Sequence, residues 1–175
     1  FHCDEHMVKP KVVYITDSTE LGTIYSLKEL LEIREICNRH RLYLYLDGAR
    51  LASALTSPGN DVTLEDLGRL TDAFYIGGTK NGMLFGEAIV ILNESLKEDF
   101  RYLIKQKGGL LAKGRLLGVQ FKAAFETDLY FEMGRHANQM ATLLRDGIRD
   151  LGYDFLVDSP TNQLFPVFPI GLADK

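Results

Sequence analysis

The chain has 175 residues, of which 46% are hydrophobic and 25% are charged. This is enough for one globular domain with a sizeable core, or for one domain and part of another. Acidic residues outnumber basic ones, 24 against 20, which excludes the basic surface that binds nucleic acid or an anionic membrane. No apolar run approaches the roughly 20 residues of a membrane span. Cys3 and Cys37 are too few for a disulfide framework and favour a reducing compartment, so we predict a cytoplasmic protein.

The first half of the chain alternates strand and helix signals. The β-branched run at 11–16 predicts a buried strand. Ser26 followed by Glu29 predicts a helix that begins with a capping box, and we expect this helix to end near His40. The apolar residues that it is expected to bury are Leu27, Leu30, Leu31, Ile33 and Ile36. Three further strands are predicted, at 42–47, 72–77 and 87–92.

A strand, a helix and a second strand joined by connections of this length favour a parallel sheet with helices on its faces. The pattern changes after residue 94, where the segments 94–107 and 113–151 are predicted to be helical. Two short strand candidates follow, at 153–157 and 163–169, and their prolines suit an edge. The sequence therefore predicts an α/β unit, then helices, then the beginning of a small α+β unit.

Three residues with chemical potential follow the predicted strands directly. Asp47 and Arg50 follow the second strand, and Lys80 lies in the glycine-containing stretch "GGTKNG" after the third. Ligand sites of open parallel sheets lie at the carboxyl ends of the strands, so we expect the three side chains at one rim. One reaction class that uses such a set is pyridoxal phosphate chemistry. There a lysine amine condenses with the cofactor's aldehyde, a carboxylate binds the protonated pyridine nitrogen, and an arginine binds an anionic oxygen.

Each of these residues also has an ordinary structural interpretation. Lys80 taken alone is a surface turn lysine, Asp47 a helix N-cap, and Arg50 a member of a surface ion pair. The combination and its spacing favour the functional interpretation. The stretch "HCDEH" at 2–6 contains metal-ligand residue types, but its spacing fits no common zinc pattern, so we predict no metal site.

Two motifs carry a resemblance to a known family. "LYLDGARLASAL" (44–55), followed by "GGTKNGMLFGEAIVI" (77–91), resembles the threonine aldolase and β-eliminating lyase family of fold-type-I pyridoxal-phosphate enzymes. The segments 12–40 and 136–148 are similar to that family as well, and the resemblance extends from about residue 8 to residue 168. It implies a three-layer α/β/α large domain with a mostly parallel sheet over residues 1–130. The remaining residues, 131–175, would begin a small α+β domain.

The resemblance also implies a role for each matching residue. Lys80 matches the lysine that binds pyridoxal 5'-phosphate covalently, and it would carry a proton once the substrate displaces it. Asp47 matches the acid at the pyridine nitrogen, and Ala49 matches the small residue packed under the ring. Arg50 matches the arginine near the cofactor's phenolic oxygen and the substrate carboxylate.

Two more residues match the family pattern in less conserved surroundings of the motif. Thr79, next to the lysine, is expected near the cofactor phosphate. The loop "KQKGGLLAKGR" (105–115) occupies the place of a basic loop that in relatives reaches the cofactor of a neighbouring subunit, and there we favour Lys113 over Arg115. The family's phosphate-binding and ring-stacking segment and its substrate-carboxylate arginine have no counterpart in these residues, so we expect the chain to be a fragment of a longer protein.

The reaction that the resemblance favours is cleavage of a β-hydroxy amino acid such as threonine to glycine and an aldehyde. A β-eliminating lyase or an aminotransferase would use the same residues, and a catalytically inactive scaffold or oligomerisation protein is the alternative from another class. The expected partners are a small amino-acid substrate and further copies of the same chain, in a homodimer or homotetramer. No nucleic acid or membrane partner is expected.

Overall fold

The structure is a computed structural model, and it describes residues 4–172. The first half contains four strands and three helices: β1 (Val12–Thr16), α1 (Leu27–His40), β2 (Tyr43–Asp47), α2 (Leu51–Leu55), α3 (Leu64–Leu70), β3 (Ala73–Gly77) and β4 (Glu87–Ile91). A 3-10 turn and three helices follow, then two short strands: Glu94–Leu96, α4 (Phe100–Gln106), α5 (Arg115–Phe125), α6 (Leu129–Asp150), β5 (Asp154–Phe155) and β6 (Pro166–Val167).

The four long strands form one sheet in the order β1-β2-β3-β4. β1, β2 and β3 are parallel, and β4 returns antiparallel to β3. The register pairs Thr16 with Asp47, so these two strands end side by side. This confirms the predicted α/β fold with a mostly parallel sheet, and the predicted strand positions are correct to within one residue.

The capping box at the start of α1 is confirmed, but two of the residues expected to be buried in this helix are not. The Ser26 side chain accepts a hydrogen bond from the Glu29 backbone, and the Glu29 side chain accepts one from the Ser26 backbone. Leu31 and Ile36 are 51% and 50% exposed, whereas Cys37 is fully buried. The stripe of α1 that faces the sheet is centred between Leu30 and Cys37, one helical heptad apart, and Leu31 and Ile36 lie beside it.

One face of the sheet packs against α1, α2 and α3 and forms the main core. Alternate strand residues point to this face, as strand geometry requires. The buried residues of the core are Ile15, Leu30, Cys37, Leu44, Leu46, Leu51, Val62, Leu67, Leu70 and Phe74. The other face carries a row of tyrosines from three neighbouring strands, Tyr14, Tyr45 and Tyr75, with Tyr14 and Tyr45 stacked at a centroid distance of 5.6 Å.

The second half is helical, as predicted, but the expected helix over 113–151 is divided in two. α5 ends at Phe125 and α6 begins at Leu129, because the three polar residues between them form a bend in which the Thr127 hydroxyl accepts from the Leu129 N–H at 3.3 Å. Gly134 lets α6 approach α2, since a Cβ there would lie 2.5 Å from the carbonyl oxygen of Ala52. The domain boundary expected after residue 130 stays a prediction.

The predicted strands at 153–157 and 163–169 shrink to the two-residue strands β5 and β6, which pair antiparallel. Cys37 is a free thiol, while Cys3 lies outside the described residues. Within residues 4–172 no helix is both long and apolar enough to cross a bilayer, and no three His, Cys, Asp or Glu side chains gather as metal ligands. The first two residues of "HCDEH" lie outside that range.

Candidate active site at the carboxyl ends of the parallel strands

Asp47, the last residue of β2, is the best-connected side chain at this rim. Its Oδ1 accepts a hydrogen bond from the Ala49 N–H at 3.0 Å. The Tyr14 hydroxyl donates to Oδ2, and the Tyr75 hydroxyl also donates to the carboxylate. The charged oxygens of Asp47 therefore receive three donors, two of them from the strands on either side.

These donors decide the protonation state of Asp47. Burial by itself would raise the pKa of this carboxyl, but the hydrogen bonds from Tyr14 and Tyr75 outweigh burial. The Ala49 N–H and the positive charge of Lys80 act in the same direction, so the pKa of Asp47 lies below its ordinary value. The same carboxylate raises the pKa of Tyr14 to about 12, chiefly through the hydrogen bond. Asp47 is therefore a carboxylate and Tyr14 a neutral donor at neutral pH.

Two glycines let the ends of β2 and β3 approach closely. The Gly77 N–H donates to the Gly48 carbonyl at 2.9 Å. A Cβ at Gly77 would lie 2.5 Å from the carbonyl oxygens of Gly48 and Ala49, and a Cβ at Gly48 would overlap the carbonyl oxygen of Tyr75. Side chains at these positions are excluded sterically, and the chain segments that carry Asp47 and Lys80 therefore leave the sheet next to each other.

Lys80 lies exposed in a turn that is anchored on three sides. The Gly78 N–H donates to Glu87 Oε2 at 2.6 Å, and the Asn81 N–H donates to the Gly78 carbonyl at 2.9 Å. The buried Asn81 side chain donates to the Tyr130 carbonyl at 3.0 Å. The Tyr130 hydroxyl donates in turn to the carbonyl of Gly77, the last residue of β3, at 3.1 Å. A flexible side chain thus stands on a rigid turn.

The remaining predicted residues differ in their connection to this centre. The Thr79 hydroxyl accepts from the Gly86 N–H at 3.1 Å, which closes the turn. Arg50 is the N-terminal cap residue of α2, partly exposed, and its guanidinium forms no hydrogen bond or ion pair with any residue in 4–172. Lys113 is exposed in the segment before α5, and within the described residues its side chain contacts none of the others. The structure brings Asp47, Ala49 and Lys80 together, and the roles of all six residues stay predictions.

Sequence reasoning missed four residues that build this site. They are Tyr14, Tyr75, Asn81 and Tyr130. A signal for the first two was present, because parallel pairing of "VVYIT" with "YLYLD" puts Tyr14, Tyr45 and Asp47 on one face. No local signal marks Tyr130, which lies 53 residues from the carbonyl that it binds.

A second carboxyl lies just beyond the end of β1. The Asp17 N–H donates to the Asp47 carbonyl at 2.9 Å, but its own side chain is 1% exposed. Neither carboxyl oxygen has a partner with hydrogen-bond geometry among the described residues. Burial raises the pKa of Asp17 to about 7, and the nearby N–H of Tyr25 offsets only part of that effect.

Comparisons with known proteins agree with this arrangement. The family model for the beta-eliminating lyases matches residues 2–168. The chain is 37% identical over 163 residues to the low specificity L-threonine aldolase of Pseudomonas aeruginosa, covering 93% of this chain and 47% of that protein. A solved structure of the threonine aldolase of Leishmania major superposes with a TM-score of 0.95 and 53% identity, covering 98% of this chain and 50% of that one.

More distant structures show the fold alone. The aspartate aminotransferase of Thermus thermophilus superposes with a TM-score of 0.65 at 16% identity, covering 90% of this chain and 41% of that one. The chain spans about half the length of the curated relatives that it matches most strongly. Because the family model covers nearly the whole chain, from residue 2 to residue 168, the chain belongs to the beta-eliminating lyase family.

Proposed function

We propose that the protein containing this chain is a pyridoxal-phosphate-dependent lyase that cleaves a β-hydroxy amino acid, such as threonine, to glycine and an aldehyde. The observation that carries the proposal is the pair formed by an ionised Asp47 and the neighbouring Lys80 at adjacent strand ends. Identities of 37% and 53% to proteins named threonine aldolases support the choice of substrate.

The side chains at this rim fit pyridoxal phosphate. Asp47 is a carboxylate with a lowered pKa, and such a group suits a protonated ring nitrogen. Lys80 is an exposed primary amine on an anchored turn, as an aldehyde requires. Arg50 has no ion-pair partner among residues 4–172, so its guanidinium is available for an anionic oxygen. The donor set thus contains one matching group for each of three parts of the cofactor.

The cofactor, when bound, supplies an electron sink that weakens the bonds at the α-carbon of an amino acid. This chain's residues prepare the site for that chemistry. Asp47 stays charged and holds the ring nitrogen, and Ala49 leaves room beneath the ring. Lys80 first binds the cofactor and then, released by the substrate, holds a proton at its Nζ. Arg50 orients an anionic oxygen, for which the substrate carboxylate is the natural candidate.

Elimination at the β-carbon is a second candidate, favoured by the description of the family model itself. It would use the same residues, with Lys80 taking the proton from the α-carbon. Transamination is the weaker alternative, since the aminotransferase neighbours are related at 15–17% identity and share the fold alone.

Self-association is part of the proposal, because the predicted Lys113 contact belongs to a second copy of the chain. Lys113 is exposed between α4 and α5, flanked by the exposed apolar residues Leu110 and Leu111. A location in the cytoplasm stays a prediction.

The test uses the complete product of the gene with added pyridoxal phosphate. We expect wild type to show the visible absorbance of a lysine-bound cofactor and Lys80→Ala to lack it. Lys107→Ala, an exposed lysine outside the site, should behave as wild type. Aldehyde release from threonine, against pyruvate release from a substrate with a β-leaving group, then distinguishes cleavage from elimination. Absence of the absorbance in wild type would favour the catalytically inactive scaffold.

A further inference from the structure

Three tyrosines line the open face of the sheet, one from each parallel strand. The ring of Tyr45 lies between the other two, with centroids 5.6 Å from Tyr14 and 6.5 Å from Tyr75. Only the outer two hydroxyls reach Asp47, which follows Tyr45 by two residues on β2 and shares its face. Tyr45 influences Asp47 through charge alone and forms no hydrogen bond with it.

We propose that Tyr14 and Tyr75 are positioning residues that keep Asp47 ionised and leave one acceptor site of its carboxylate directed at a ring nitrogen of the bound cofactor. This inference rests on the proposed function, since the ligand of Asp47 is the protonated nitrogen of pyridoxal phosphate.

The number of acceptor sites supports the orientation. An ionised carboxylate offers about four lone-pair sites. The Ala49 N–H occupies one on Oδ1 at 3.0 Å, and the hydroxyls of Tyr14 and Tyr75 occupy two more. One site is left for a further N–H donor. Three fixed donors on two different chain segments also restrict rotation of the carboxylate.

The choice of tyrosine over a cation has a physical reason. A lysine or arginine at either position would form an ion pair with Asp47 and compete with a positively charged ring nitrogen. A neutral hydroxyl stabilises the carboxylate by hydrogen bonding but leaves its negative charge uncompensated. Both tyrosines remain neutral donors, because Asp47 raises the pKa of Tyr14 to about 12 and raises that of Tyr75 as well.

The first test requires no cofactor. The titration of Asp47 is followed by carboxyl carbon NMR in the complete gene product with labelled aspartate, for wild type, Tyr14→Phe and Tyr75→Phe. Each of these variants removes one oxygen atom, and the pKa of Asp47 should rise in each. Tyr45→Phe is the matched control, since it shares the face and the stacking but not the hydrogen bond, and there the pKa should stay unchanged. In Asp47→Asn, Tyr14 should titrate nearer its ordinary value of 10.0.

The second test measures the dissociation constant of pyridoxal phosphate by absorbance in the same four proteins. We expect the constant to rise about tenfold for Tyr14→Phe and for Tyr75→Phe, as for a lost hydrogen bond to a charged group, and to change less than about twofold for Tyr45→Phe. Thermal unfolding of each variant shows which of them are folded, and either outer variant suffices if the other is not.

The two failures can be told apart. Cofactor binding by wild type together with an unchanged Asp47 pKa in both outer variants would overturn the inference and leave the proposed function standing. A wild-type protein that binds no pyridoxal phosphate would overturn the proposed function, and with it any role of the tyrosines toward the cofactor, whatever the titration shows. An equal effect of Tyr45→Phe on the Asp47 pKa would assign the effect to ring packing and overturn the positioning role.

Discussion

Asp17 and Asp47 are bonded through their backbones but have opposite environments. Both lie at the carboxyl ends of parallel strands, where the Asp17 N–H donates to the Asp47 carbonyl. Asp47 points to the open face and collects donors, whereas Asp17 points into the core without a well-formed partner. Hydrogen bonds lower one pKa and burial raises the other, so one rim holds a charged carboxylate beside a carboxyl that ionises near neutrality.

The raised pKa of Asp17 predicts a pH-dependent stability. The folded state favours the neutral acid, so the stabilisation is complete below the ordinary pKa of 3.8 and is lost as pH rises through about 7. Asp17→Asn cannot ionise. Its advantage in melting temperature over wild type should therefore grow across this window and then level off. A shift of about three units, each about 1.4 kcal/mol, sets an upper limit of about 4 kcal/mol.

Thermal unfolding at several pH values across the window measures this difference. Asp154→Asn, at an exposed position of β5, is the control and should show no such trend. A difference between Asp17→Asn and wild type that is the same at every pH would contradict the assignment.

At the scale of single elements, α1 shows how a local signal survives folding. Its N-terminus has a reciprocal capping box, in which the Ser26 N–H donates to Glu29 Oε2 at 2.8 Å and the Glu29 N–H donates to Ser26 Oγ at 3.3 Å. Both bonds form between residues three apart, so a short sequence pattern determines them. α3 begins with the same device at Thr63 and Asp66.

Removal of this cap should cost a defined amount of stability. We expect Ser26→Ala to lower the free energy of unfolding by about 1 kcal/mol, because an N–H at the start of α1 loses its acceptor. Ser26→Thr keeps a hydroxyl at the same place and should lie much closer to wild type. Urea denaturation compares the three proteins, and equal losses for both variants would show that side-chain size rather than the cap matters.

The junction of β2 and β3 depends on a contact that only a glycine permits. Gly77→Ala should lower the free energy of unfolding by about 1 to 3 kcal/mol, because the added methyl group must push the ends of the strands apart. It should also weaken cofactor binding, since it separates Asp47 from the Lys80 turn. Gly118→Ala is the control, because a Cβ there meets no atom within 4 Å and alanine favours the helix. Similar stability of the two variants would refute the steric explanation.

At the scale of the whole molecule, the exposed apolar surface is concentrated in one stretch of the chain. From α4 to α5 the exposed large hydrophobic residues are Tyr102, Leu103, Leu110, Leu111, Leu116 and Val119. Contiguous apolar surface of this kind marks interaction sites, and the predicted subunit-crossing Lys113 lies in the same stretch. Both observations favour this stretch as a contact between copies of the chain.

A charge introduced there should therefore reduce self-association. We expect Leu116→Asp to lower the mass of the complete gene product in light scattering, because the carboxylate would be buried without a partner. Leu143→Asp, an equally exposed position on α6, should keep the wild-type mass. A wild-type protein that is active as a monomer would exclude the shared site.

The sequence by itself determined the features that depend on neighbouring residues. The strand positions, the cap of α1 and the spacing from Asp47 to Lys80 all follow from short patterns, because hydrogen bonding and side-chain periodicity act over a few residues. The same patterns overextended β5 and β6 and missed the bend after α5, since packing decides where a weak element ends.

Only the tertiary structure decided which side chains meet at the rim. Tyr14 reaches Asp47 across 33 residues, and Tyr130 reaches the end of β3 across 53 residues. The burial of Asp17 and the exposure of Leu31 likewise depend on which face of each element packs. Such contacts follow from strand register and helix docking, which the whole chain determines together, and a local pattern carries no information about them.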